Sequence, residues 1–217
     1  MLNKNYELNE KIHATIINPY LTLDDFNINC ELIKKYNIKN ISTSLNFLRY
    51  FKKSDIINNT KINVFISYPF ADLPVNFIEE LVIYAKDAGA NGIEYTPKFF
   101  FLAENDDESF ANDIENISKS DLPITLIFNN YKLNNDKFIK AIKIAIELGI
   151  VNFQFGDGFG PTCNLIDIHP IINLLSEKSL VKIAGGIKKI EKVIEILDAG
   201  ADCIGTSNFH DIFKDLK

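Results

Sequence analysis

Short runs of branched apolar residues alternate along this chain with longer stretches in which apolar positions recur every three to four residues. That is the pattern of β-strands separated by amphipathic helices. It predicts strands at Lys11 to Ile17, Asn40 to Ser44, Lys61 to Tyr68, Gly92 to Thr96, Leu122 to Phe128, Asn152 to Phe155, Leu180 to Ala184 and Asp202 to Gly205. Helices are expected from Thr22 to about Tyr36, through Phe47, Tyr50 and Phe51, and over Pro74 to Ala88, Glu104 to Lys119, Asn134 to Leu148, Ile166 to Glu177, Lys188 to Ala199 and Phe209 to Leu216. Pro69 and Pro97 punctuate strand ends, and Asp24 and Asp25 suit the positive end of a helix dipole.

Strict alternation without a linker means a parallel sheet, and eight repeats fit an α/β chain closed into a single (β/α)8 TIM barrel spanning residues 1–217. The 217 residues are somewhat short for that fold, which usually takes about 250, so short loops are expected. Functional residues should then gather at the C-terminal ends of the strands. A dinucleotide fold is disfavoured, because no Gly-x-Gly-x-x-Gly run follows the first strand.

Composition narrows the function classes. A formal charge of −6 with no basic block disfavours nucleic acid or an anionic membrane as partner. No apolar run approaches the roughly 20 residues of a membrane span, and the polar start of the chain reads as no signal peptide, so a cytoplasmic protein is expected. Cys30, Cys163 and Cys203 form no metal or redox spacing and fit a reducing compartment. His13, His169 and His210 are scattered, which predicts no catalytic metal. Arg49 is the only arginine, so an anion must be held by backbone amides, hydroxyls and lysine.

The candidate chemistry sits late in the chain. If Val181 and Ile183 face the helices, alternation turns Lys182 into the barrel. An ammonium buried there lowers its pKa or acquires an anion, and a neutral amine attacks carbonyls. Glu94 on the fourth strand is the matching carboxylate, either a proton carrier or a plain ion-pair partner. His13 is a candidate proton shuttle. Gly185 and Gly186 permit close backbone approach, and with Lys188, Gly205, Thr206 and Ser207 they make the candidate phosphate cradle after strands seven and eight.

The run Lys182-Ile183-Ala184-Gly185-Gly186-Ile187-Lys188, with Ala199-Gly200-Ala201 and Ile204-Gly205-Thr206-Ser207, resembles the seventh and eighth strands of deoxyribose-phosphate aldolases. Ala88-Gly89-Ala90-Asn91-Gly92-Ile93-Glu94 and Ile12-His13-Ala14-Thr15 resemble that family's fourth and first strands. The resemblance implies a lysine-dependent (β/α)8 lyase without a cofactor, acting through an imine on a small phosphorylated carbonyl compound; a homodimer is compatible with it. The family's imine-forming lysine, however, falls on Gln154, and an amide forms no imine. Lys182 matches the family's second lysine, Glu94 its relay aspartate and His13 a first-strand aspartate, while Asp157 replaces a threonine.

Three readings are open. The first is a lyase of altered mechanism with Lys182 as the amine, or with Lys98, just past Pro97, swinging inward to supply it. The second is an isomerase or other enzyme acting on a sugar phosphate without a covalent intermediate, with Glu94 or Asp157 as base. The third is a pseudoenzyme that keeps the ligand pocket.

Overall fold

Three helices in this chain begin where a side chain caps the first free N–H groups. Thr22 shows the device: its hydroxyl accepts from the Asp25 backbone N–H while the Asp25 carboxylate accepts from the Thr22 N–H, a reciprocal box worth about 1 kcal/mol. Asn134 and Asp106 cap their helices through single bonds, from the N–H groups of Lys137 and Ser109. The computed structural model describes residues 6–51, 59–129, 133–161, 165–175 and 178–216.

The elements run α1 (Leu8–Lys11), β1 (Ile12–Ile16), α2 (Leu23–Lys35), β2 (Asn40–Ser44), α3 (Leu45–Phe51), β3 (Lys61–Ile66), α4 (Val75–Asp87), β4 (Gly92–Tyr95), α5 (Phe100–Ala103), α6 (Asp107–Ser118), β5 (Ile124–Phe128), α7 (Asn135–Glu147), β6 (Asn152–Phe155), α8 (Leu165–Leu174), β7 (Leu180–Ala184), α9 (Ile190–Asp198), β8 (Cys203–Thr206) and α10 (Phe209–Lys214). All eight strands pair in parallel in sequence order, and β1 closes on β8 through Ile12 opposite Ile204 and His13 opposite Gly205. The chain is therefore a (β/α)8 TIM barrel.

Several boundaries move by a residue or two, and three of the shifts have a local reason. The third strand stops at Ile66 because Ser67 takes a φ of 59° and its carbonyl accepts from the Ala71 N–H, turning Tyr68 out of the sheet. The helix expected from Glu104 divides into α5 and α6 at Asp106, whose N–H returns to the Phe101 carbonyl and whose side chain caps α6. Asp202 stands before β8, its carboxylate accepting from the Val181 N–H and its own N–H donating to the Val181 carbonyl. Residues 176–177, expected to end a helix, lie outside the described residues, as does Cys163.

Two layers of side chains result from strand alternation. Outward residues such as Ile93, Tyr95, Phe128, Phe153, Phe155, Val181 and Ile183 pack beneath the helices, Phe128 meeting Phe99 and Phe138 edge-on at 5.3 and 5.9 Å. Each such phenylalanine contributes about 2–3 kcal/mol by leaving water. The inward residues are more polar, and they line a cavity at each end of the barrel.

Candidate active site

Glu94 on β4 and Lys182 on β7 come from opposite walls and meet at 2.7 Å inside the barrel, 1% and 2% exposed. Ser42 on β2 completes a triangle: its hydroxyl donates to the same Glu94 oxygen at 2.6 Å and accepts from the Lys182 ammonium at 2.9 Å. An ion pair this deep has lost its hydration, so its stability depends on that geometry and on the extra hydrogen bonds. The other Glu94 oxygen, Oε2, is buried without a hydrogen-bond partner among the described residues. The sequence places Ser42 among strand-end polar residues without giving it a role; its only signal is alternation against Ile41 and Thr43.

Lys182 reaches this position by crossing the face of Gly205. A Cβ at Gly205 would stand 2.7 Å from Lys182 Cε and 3.1 Å from Ala184 Cβ, so the glycine is the space through which the lysine stem passes. Gly205 belongs to the lining of the mouth cavity above, whereas Lys182 and Glu94 line the cavity below. The amine thus lies beneath the floor of the mouth, not in it.

The mouth cavity, about 400 Å³, opens at the C-terminal strand ends. Gln154 on β6 forms part of its floor, 3% exposed, with its Nε2 donating to the Gly156 carbonyl at 3.0 Å and its Oε1 left without a partner among the described residues. Gly185, Gly186, Thr206, Ser207 and Asn208 line one side. Thr206 is committed to the fold, its hydroxyl donating to the Ile187 carbonyl and accepting from the Asn208 N–H. Phe65, Tyr68 and Phe159 form an aromatic wall that the sequence does not single out; Phe65 stacks on Tyr68 at 4.5 Å between ring centroids.

Asp157 lines the mouth as well as a side pocket shared with Thr96 and Asn129. Its two carboxylate oxygens accept from the Asn129 side chain at 2.6 Å and from the Phe159 N–H at 2.9 Å, and its carbonyl accepts from the Tyr68 hydroxyl at 2.5 Å. Burial, then the negative charge of Asp157, push that phenol's pKa upward, so Tyr68 stays a hydrogen-bond donor. The loop holding Asp157 rests on β7: a Cβ at Gly156, where φ is +89°, would stand 2.1 Å from the Ala184 carbonyl oxygen. Only glycine permits that approach.

Other sequence candidates fall elsewhere. Lys98 does not swing inward; its amine pairs with Asp113 of α6 at 2.7 Å in the outer layer, where the same carboxylate accepts from Tyr95 and from the Lys98 N–H. Lys188 is exposed and outside the mouth lining. His13 lines the lower cavity, about 560 Å³, its Nδ1 unpartnered among the described residues. Burial, followed by the positive charges of Lys182 and Lys61, holds its pKa well below the usual histidine range, so the imidazole is neutral near pH 7. His210 bonds the Tyr36 hydroxyl between α10 and the end of α2, away from both cavities.

Among the described residues, no helix is long and apolar enough to cross a membrane, and no group of three His, Cys, Asp or Glu side chains is arranged to hold a metal. No family model matches the chain. Curated proteins do: a deoxyribose-phosphate aldolase of Mycoplasma capricolum is 26% identical over 207 residues, covering 93% of this chain and 92% of its own. That of Mycoplasmopsis pulmonis is 27% identical over 206 residues, covering 93% of each. Among solved structures, QR15, an aldolase, superposes with a TM-score of 0.89 at 19% identity, covering 96% of this chain and 95% of that one. The tetrameric deoxyribose phosphate aldolase from Aeropyrum pernix gives 0.85 at 17% identity, covering 97% and 92%. The resemblance read from separate motifs therefore extends over nearly the whole chain, with marked divergence.

Proposed function

We propose that this chain, similar along most of its length to deoxyribose-phosphate aldolases, is a lyase acting on a small phosphorylated carbonyl compound in the mouth of its barrel, and that it works without a covalent lysine intermediate. One observation carries the reading: Gln154 occupies the floor of the mouth, while the Lys182 amine lies outside that lining, held by Glu94 and Ser42. The amine's contacts with Glu94 at 2.7 Å and Ser42 at 2.9 Å commit it to that interior network.

The phosphate sits at Gly185, Gly186 and Ser207 on the wall of the mouth. The end remote from the phosphate lies toward Gln154, where it arrives as the cyclic or hydrated form before opening to the carbonyl. Asp157 takes the proton from the hydroxyl beside the scissile bond, the carbon–carbon bond breaks to release an aldehyde, and its electron pair passes to the neighbouring carbonyl as an enolate. Protonation of that enolate at carbon completes the cleavage. Lys182 supplies positive charge from beneath the floor as the enolate forms.

A second reading, binding without turnover, is favoured by the two hydrogen bonds that already occupy the Asp157 oxygens. One experiment separates the readings: the purified chain is given 2-deoxyribose 5-phosphate, acetaldehyde release and ligand-induced thermal stabilisation are measured, and a parallel sample is reduced with borohydride and peptide-mapped. Acetaldehyde release without an adduct, abolished in Asp157→Asn, is the expected result. An adduct on Lys182 would overturn the non-covalent mechanism and restore an imine-forming lysine. Stabilisation without acetaldehyde establishes the binding-only reading, and neither effect rejects this ligand class.

A further inference from the structure

Gln154 stands where an imine-forming lysine is expected, yet its geometry is that of a recognition group. An amide side chain has a donor end and an acceptor end that are easily interchanged in assignment. Here the ambiguity is removed by a neighbour: the Gly156 carbonyl only accepts, so the end 3.0 Å from it is the Nε2 donor. The Oε1 acceptor is therefore fixed, and it is buried, unpartnered among the described residues, on a side chain that lines the mouth cavity. Gly156 itself cannot shift easily, because its backbone abuts the Ala184 carbonyl at a φ of +89°.

We infer that Gln154 reads a ligand hydroxyl: it selects phosphorylated compounds carrying an O–H at the carbon that meets the floor of the mouth, such as the cyclic or hydrated form of a sugar phosphate, over compounds that present a bare carbonyl or an alkyl group there. A carbonyl oxygen is an acceptor and meets Oε1 as acceptor against acceptor. A hydroxyl donates to it and satisfies a polar atom that is otherwise left dry. The neighbouring amine does not take over this task, since Lys182 is engaged with Glu94 and Ser42. Pairing a fixed buried acceptor with a hydroxyl is the arrangement that discriminates most strongly against analogues lacking it.

The inference rests on the phosphate reading of the same cavity, so the test uses two ligands that share a phosphate and differ in one hydroxyl. Pentyl phosphate and 5-hydroxypentyl phosphate are titrated into the wild type and into Gln154→Met, which preserves side-chain length and removes both polar ends. The wild type should bind the hydroxylated ligand about tenfold more tightly, the scale of one net hydrogen bond to a buried acceptor. In Gln154→Met the ratio should fall to about one or below, while pentyl phosphate still binds and thereby reports an intact cradle. An equal ratio in wild type and variant would overturn the role of Gln154 and leave the phosphate reading standing. Failure of the wild type to bind either ligand rejects the phosphate reading and this inference with it.

Discussion

Lys182, Glu94 and Ser42 hold one another in a place where none of them is stable alone. Removing one partner of such a pair leaves an uncompensated buried charge, at a cost of about 3–5 kcal/mol, whereas replacing both by apolar groups of similar size is often close to neutral. Glu94→Gln should accordingly lower the urea-unfolding free energy by about 3 kcal/mol, and the double variant Glu94→Leu/Lys182→Met should recover most of the loss. Equal losses in the single and double variants would mean that the pair contributes through packing alone. At this scale the sequence was partly legible. Alternation turned Lys182 inward and offered Glu94 as its counter-charge, but distance in sequence hid Ser42, and nothing in a linear string says that the lysine stem passes under Gly205 and away from the mouth. The same limit applied to Lys98: its proximity to Pro97 suggested freedom, while its carboxylate partner lies on the next long helix, α6.

Among elements, the loops after β6 and β7 touch through glycine. Gly156→Ala would place a methyl group against the Ala184 carbonyl oxygen and force a side chain into a left-handed backbone conformation, so a loss of at least about 2 kcal/mol is expected. Because the Gly156 carbonyl also accepts from the Gln154 amide, the variant should weaken phosphate-ligand binding by more than its stability loss explains; calorimetric titration at a temperature where both proteins are folded checks this. Unchanged affinity would show that the loop is free to move without disturbing the floor. Helices and strands were the most legible features of the chain, since periodicity, Thr22 and the prolines mark them locally. Boundaries failed where a turn depends on backbone conformation, as at Ser67, or where one acidic stretch holds two helical segments, as around Asp106.

For the whole molecule, barrel closure was readable from the count and strict alternation of elements, because a parallel sheet of eight strands must either close or leave edges unpaired. The polarity of the barrel interior was less readable, since it emerges only when alternate residues from all eight strands are brought together. One interior residue links that polarity to overall stability. Native His13 binds its proton only well below pH 6.5, whereas the unfolded chain binds it near 6.5. Above that pH both states are neutral and the full stability is present. As pH falls below it, the unfolded chain takes up a proton that the native chain refuses, and stability declines until the lowered native pKa is reached. Urea midpoints measured at pH 8, 6 and 5 should therefore fall in the wild type and fall less in His13→Gln. The exposed carboxylates Asp25, Asp106 and Asp121, whose hydrogen bonds lower their pKa values, act in a separate window below about pH 4.

Lys182, its stem laid across Gly205 and its amine on Glu94, thus works as a diaphragm across a tube. The rear cavity, lined by Lys61, Asn63 and Asn152, and the front cavity, lined by an amide and bare backbone, are separated by a charged pair from which solvent is excluded. The electrical state of the interior can consequently be tuned from behind, by substitutions that never touch the ligand, and ligand preference can be retuned from the front without rewiring the charges.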